Sequence, residues 1–142
     1  MKRLKTLIKS QLGNTGATYW KAAGFGSYMD WCAVFVWWII KEDGHFKYLA
    51  TGKNPFYVPN VVAWARKKGL IIPLDKVKKC DIVVYDFNRN GVGDHIGFFW
   101  KWKEKKKSFR AIEGNTGGGK GKVMKRTRYP EQVLCCIRLH KK

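Results

Sequence analysis

The stretch Cys80-Asp81-Ile82-Val83-Val84-Tyr85-Asp86-Phe87-Asn88-Arg89-Asn90-Gly91-Val92-Gly93-Asp94-His95-Ile96-Gly97-Phe98-Phe99-Trp100-Lys101-Trp102 decides the fold. Its apolar residues recur with the period of two that marks pleated strands, not the 3.6 of a helix. It reads as strands from Ile82 to Phe87 and from Ile96 to Trp102, joined by an Asn- and Gly-rich turn. Downstream, Phe109 to Glu113, Lys122 to Arg128 and Val133 to Leu139 continue the pattern, each bounded by Gly, Asn or Pro. The connections are too short for crossover helices, so antiparallel hairpins are expected. Upstream, the reading is helical. Lys2 to Leu12 place Leu4, Leu7, Ile8 and Leu12 on one face, with Gly13 as a stop, and a glycine-rich aromatic loop follows through Gly26. A second helix runs from Trp31 to Lys41, with Asp30 as its N-cap and Gly44 beyond its end. It is apolar nearly all round, as a centrally buried helix would be. Pro59 stands at a first-turn position before a short helix from Val61 to Lys68. Helices followed by strands imply an α+β domain, with N-terminal helices packed on an antiparallel sheet of about five or six strands.

The 142 residues suit one domain, 1–142, with no linker or repeat dividing it. With 45% apolar and 15% aromatic residues, the chain is excluded from the disordered class despite its charge. Its longest apolar run, Cys32 to Ile40, falls far short of the ~20 residues that cross a bilayer. Lys9 and Gln11 interrupt the apolar region that a signal peptide would need after Lys2, Arg3 and Lys5, so synthesis in the cytoplasm is expected. A net charge of +19 attracts polyanions, whether nucleic acid, anionic membrane or an acidic cell wall. Lysines outnumber arginines 22 to 7, which argues against sequence-specific reading of DNA, where the planar guanidinium fork is favoured.

Four cysteines offer a nucleophile but no paired metal-ligand spacing. Cys80, Cys135 and Cys136 lie in strand-like apolar segments, where a thiol behaves as a small core residue. Cys32 falls in the first turn of a helix, where unpaired N–H groups and the helix dipole stabilise a thiolate. Of the three histidines, His45 follows a helix-ending glycine and His140 lies among terminal lysines, both solvated positions. His95 opens a strand and shares a face with Gly97 and Phe99, leaving Ile96, Phe98, Trp100 and Trp102 on the other; a helix could cover the face from which it projects. If Lys103 to Lys107 form a five-residue hairpin loop, His95 pairs with Asn115 and Gly97 with Glu113, all on one face, with Gly97 leaving room for the imidazole. A loop one residue longer or shorter would move the acid to the wrong face.

These residues give the pattern a name. Trp31-Cys32-Ala33-Val34-Phe35-Val36-Trp37-Trp38, Asp81-Ile82-Val83-Val84-Tyr85-Asp86, Asp94-His95-Ile96-Gly97 and Ile112-Glu113-Gly114-Asn115-Thr116 resemble, in order and spacing, the CHAP family of cysteine- and histidine-dependent amidohydrolases and peptidases. The resemblance spans residues from about 13 to 140; the family has a glycine where this chain has Cys80. It implies a papain-like fold and a peptidoglycan hydrolase of phage-lysin type, an N-acetylmuramoyl-L-alanine amidase or a cross-link endopeptidase, antibacterial in action. In that reading Cys32 attacks the carbonyl, His95 is general base and then acid, and Glu113 or Asn115 orients the imidazole. The Cys32 N–H would be the first oxyanion donor. The implied partners are peptidoglycan and anionic wall polymers, without specific nucleic acid or a membrane span. A monomer acting at the cell wall is expected.

Asp86-x-Asn88-x-Asn90-Gly91-x-x-Asp94 has the alternating oxygens of a calcium loop, yet Gly97 stands where the loop's bidentate Glu belongs. The preferred reading is an Asx-rich turn that presents His95, with no cofactor required and calcium as the one ion the loop would suit. The other function class open to this composition is a basic, non-enzymatic polyanion- or nucleic-acid-binding protein; its many aromatics would suit base stacking, but most of them sit at core-facing positions.

Overall fold

The computed structural model describes residues 2–49, 54–116 and 121–142. Among these residues four α-helices, α1 (Lys2–Ser10), α2 (Ala17–Ala22), α3 (Cys32–Asp43) and α4 (Val58–Lys67), precede six strands. These are β1 (Ile71–Ile72), β2 (Ile82–Tyr85), β3 (His95–Lys103), β4 (Ser108–Thr116), β5 (Lys122–Arg128) and β6 (Val133–Ile137). They form one open antiparallel sheet in the order β1-β6-β2-β3-β4-β5. The α+β expectation holds. Among the described residues, no helix is long and apolar enough to cross a membrane.

The helix α3 is the spine because eight of its twelve residues are buried. It packs on β3 and β4, with Phe35 edge-on to Phe98 at 6.0 Å. The approach is close: a Cβ on Gly114 would lie 2.6 Å from the Trp31 ring and 2.8 Å from Phe35 Cβ, so only a glycine fits there. On this side of the sheet, Ile82, Val84, Ile96, Phe98, Trp100, Ile112, Cys135 and Ile137 join the main core. The opposite face carries a smaller core of Val77, Val83, Tyr85, Phe99, Phe109, Ala111 and Cys136.

Several local expectations are corrected. The residue at the N-cap of α3 is Trp31, and it makes no capping side-chain bond; Asp30 is not the cap. The segment expected to be a loop through Gly26 contains α2, whose Tyr19 is fully buried, stacked on Trp31 at 5.4 Å and edge-on to Phe35 and Trp38. Three aromatic partners give this six-residue helix the packing that its composition does not advertise. The helix around Pro59 begins at Val58, nearly a turn early, and β1 was not anticipated. Trp102 does not share a face with Trp100. A bulge between Phe99 and Lys101 turns it onto the smaller core, against Phe99 and Phe109.

Candidate active site

Cys32 is the first residue of α3 and His95 the first of β3, and thiol and imidazole are hydrogen-bond partners. The helix does not cover the face from which His95 projects, contrary to expectation. It lies on the Ile96–Phe98 side, whereas His95 pairs with Tyr85 on the smaller-core side. Imidazole and thiol meet around the end of the sheet.

The predicted partner Glu113 is in place, by a route other than the one anticipated. Lys103 pairs with Ser108, so the hairpin loop holds four residues, 104–107, and left alone it would put the acid on the wrong face. The bulge at Trp100 adds the missing residue on β3 and restores the register to Phe98 opposite Ile112. Glu113 Oε1 then lies 3.0 Å from His95 Nε2. Gly97 makes room for Glu113 rather than for the imidazole: a Cβ there would stand 2.5 Å from Glu113 Cγ and 3.0 Å from the Ile112 carbonyl. Gly97→Ala is therefore expected to push the carboxylate off Nε2. Thermal unfolding should show a loss of about 1–3 kcal/mol, and neutral-pH alkylation of Cys32 should fall far more steeply than that loss accounts for.

The sequence reading missed Arg128. Its Nε lies 3.0 Å from Glu113 Oε2, and its Nη2 bonds Oε1. Glu113 is fully buried and the Arg128 side chain nearly so, so this is a desolvated fork between guanidinium and carboxylate. The guanidinium sits 5.1 Å from the ring centroids of both Tyr85 and Phe87. Those two rings also stack on the imidazole, at 5.8 and 5.9 Å. Phe109 and Arg128 are opposite one another in the β4–β5 register, which puts Arg128 on the Glu113 face.

These contacts set the proton positions. Burial opposes charge on His95, but the hydrogen bonds it makes to Cys32 and Glu113, together with their negative charge, outweigh it, raising the imidazole pKa to about 9. Burial would also neutralise Glu113, yet the bonds to His95 and Arg128 hold it well below the usual carboxylate range. An ionised carboxylate can only accept, so Nε2 carries a proton and Nδ1 is the nitrogen left for the Cys32 thiol. The other thiols are unsuited to attack: burial, first among the causes in each case, raises Cys80 and Cys135 to about 11 and Cys136 to about 12.

Asn115 does not join His95. Its backbone is left-handed, φ 57°, and the β4–β5 register shifts between Glu113 and Thr116, so the alternation that would align it with Glu113 is broken. Its amide Oδ1 accepts from the Tyr28 hydroxyl at 2.9 Å, and its Nδ2 lies 3.4 Å from Asp30 Oδ1. It thus ties down the segment just ahead of Cys32. The backbone at Cys80 is also left-handed, φ 76°, a geometry that glycine adopts without strain.

In the Asn-rich turn, Asp86 accepts from the Asn90 and Gly91 amides at 3.2 and 2.7 Å, and Asp94 accepts from Asn88 at 3.2 Å. The carboxylates are committed to their own turn, which carries Phe87 back over His95. Among the described residues, no group of three His, Cys, Asp or Glu side chains is placed to hold a metal. His45 bonds Asp43 at the far end of α3, remote from Cys32. Comparisons with models of known protein families, with characterised proteins and with solved structures found no match to this chain.

Proposed function

We propose that the chain is a peptidoglycan hydrolase of the CHAP type, with the papain-like arrangement, acting on bacterial walls through an acyl-enzyme. The observation that carries this reading is the relay itself. A thiol at the first residue of a buried helix adjoins an imidazole whose far nitrogen is bonded to a buried, ionised carboxylate. That relay suits amide hydrolysis in two steps. Cys32 Sγ attacks the carbonyl carbon as thiolate, with His95 holding the proton. The C–N bond then breaks as Nδ1 passes the proton to the leaving amine, giving a thioester. Water next attacks the thioester while His95 takes its proton; the acid leaves and the thiol is restored. Trp31 O accepts the first intrahelical bond, from Phe35 N, so the Cys32 N–H has no acceptor within the helix and suits the developing oxyanion.

The test is digestion of purified peptidoglycan with mass-spectrometric identification of the new amino terminus. Release of alanine from the lactyl group would mark an amidase, and a cross-bridge residue an endopeptidase. No new terminus over a wide enzyme range would sink the proposal.

A further inference from the structure

The charge of this protein is not evenly neutralised. Among the described residues, every ion pair is made by an arginine or a histidine, and none by a lysine. Part of the lysine surplus gathers on the helix side of the sheet, at the end of β3 away from His95. Lys101 pairs with Arg110 across β3 and β4, and Lys125 lies opposite Ile112 on β5. Lys79 and Lys125 stand 4.4 and 5.9 Å from the Trp100 ring. The exposed α1 residues Lys5 and Lys9 add positive charge near Lys79 and Lys125 respectively. Both amines are held below the ordinary lysine range, by burial first and then by neighbouring positive charge. Arg110 Nε is buried without an acceptor. Cations are crowded together here without the anions that would balance them.

Resting on the wall-hydrolase reading, we propose that Lys5, Lys9, Lys79, Lys101, Arg110 and Lys125 form a binding face for a flexible phosphodiester-linked polyol of the cell wall. Lys101 stands six positions beyond His95 along β3, so the face lies about 20 Å from the relay, leaving the active site open to peptidoglycan while the polymer is held. A base-free polyphosphate fits better than nucleic acid for two reasons. Five of the six cations are lysines, point charges without the guanidinium fork. The aromatic ring in the patch, Trp100, is only 4% exposed and has the Lys79 and Lys125 amines over it, so it offers no stacking surface to a base.

The test compares two variants of equal charge loss. One carries Lys5→Gln, Lys79→Gln, Lys101→Gln and Lys125→Gln; the other carries Lys47→Gln, Lys67→Gln, Lys68→Gln and Lys142→Gln. Glutamine keeps part of the stem at Lys79 and Lys125 beside Trp100, and a milder variant, Lys5→Gln with Lys101→Gln, alters only exposed side chains and covers a failure to fold. The probe is poly(glycerol phosphate) of defined length, set against a single-stranded oligonucleotide with the same number of phosphates. The parent should lose roughly 50-fold in affinity between 50 and 200 mM salt if about four phosphates are neutralised. The patch variant should bind the polyol phosphate at least about tenfold more weakly, the control set less than about threefold. Equal losses in the two sets would overturn the proposal in favour of diffuse charge. Tighter binding of the oligonucleotide by the parent would overturn it in favour of nucleic acid. Hydrolysis of polymer-free peptidoglycan, measured alongside, should be unchanged in the patch variant; a parent without hydrolysis refutes the enzyme reading and leaves the binding comparison to decide the patch.

Discussion

Replacement of Cys32 by alanine should abolish peptidoglycan hydrolysis, a fall of at least about 10³-fold, with circular dichroism and thermal unfolding close to the parent. The residue is small and 7% exposed, and alanine keeps the helix start, so the fold loses one thiol. Cys80→Ala, Cys135→Ala and Cys136→Ala should all retain activity, because burial keeps those thiols protonated at working pH. The contrast should also appear without substrate. Iodoacetamide at neutral pH should label the parent at Cys32 alone, and His95→Ala should suppress that labelling, whereas His45→Ala and His140→Ala leave it intact. Equal loss of hydrolysis in all four cysteine variants, with folding unimpaired, would remove Cys32 from its role.

The sequence made the α+β layout legible because its hydrophobic period changes once, at Cys80, and because α3 is apolar nearly all round through Ile40. It also made Cys32, His95 and Glu113 legible, since a thiol at a helix start and two polar groups on strands stand out against apolar neighbours. What it could not show follows from register. The hairpin loop is one residue shorter than the geometry of the acid required, and the compensating bulge at Trp100 has no glycine or proline to announce it. The left-handed turn at Asn115 is likewise silent, though Asn tolerates it, and it carried the second candidate orienter away to Tyr28 and Asp30. Arg128 was hidden for a related reason. Alternation places both Arg126 and Arg128 on one face of β5, and without the β4–β5 register neither can be matched to Glu113. α2 is too short and too glycine-flanked for periodicity to detect; its stability comes from Tyr19 against Trp31 and Phe35.

Glu113→Gln should lower hydrolysis by on the order of 10³-fold and also destabilise the fold, and the two losses can be separated. Without the carboxylate charge, burial acts on His95 with less to oppose it and its pKa falls from about 9 toward or below the ordinary 6.5. Neutral-pH alkylation of Cys32 should then vanish, leaving only the reactivity that rises with ordinary thiol ionisation in alkali. The linkage has a definite sign. The raised pKa of His95 contributes stability that is complete below about 6.5 and lost as pH climbs through about 9. The depressed pKa of Glu113 contributes stability present above about 4.5 and lost as pH falls through its lowered value. Parental Tm should therefore be best supported between those limits and decline on the alkaline side, while Glu113→Gln should show little of either slope. Its overall cost should be about 3–5 kcal/mol, since Arg128 is left buried without a counter-charge. Adding Arg128→Met removes that stranded cation, so the double variant should recover part of the Tm and none of the activity. Recovery of both would make Glu113 a structural anchor for Arg128 and end its assignment as the residue that orients His95.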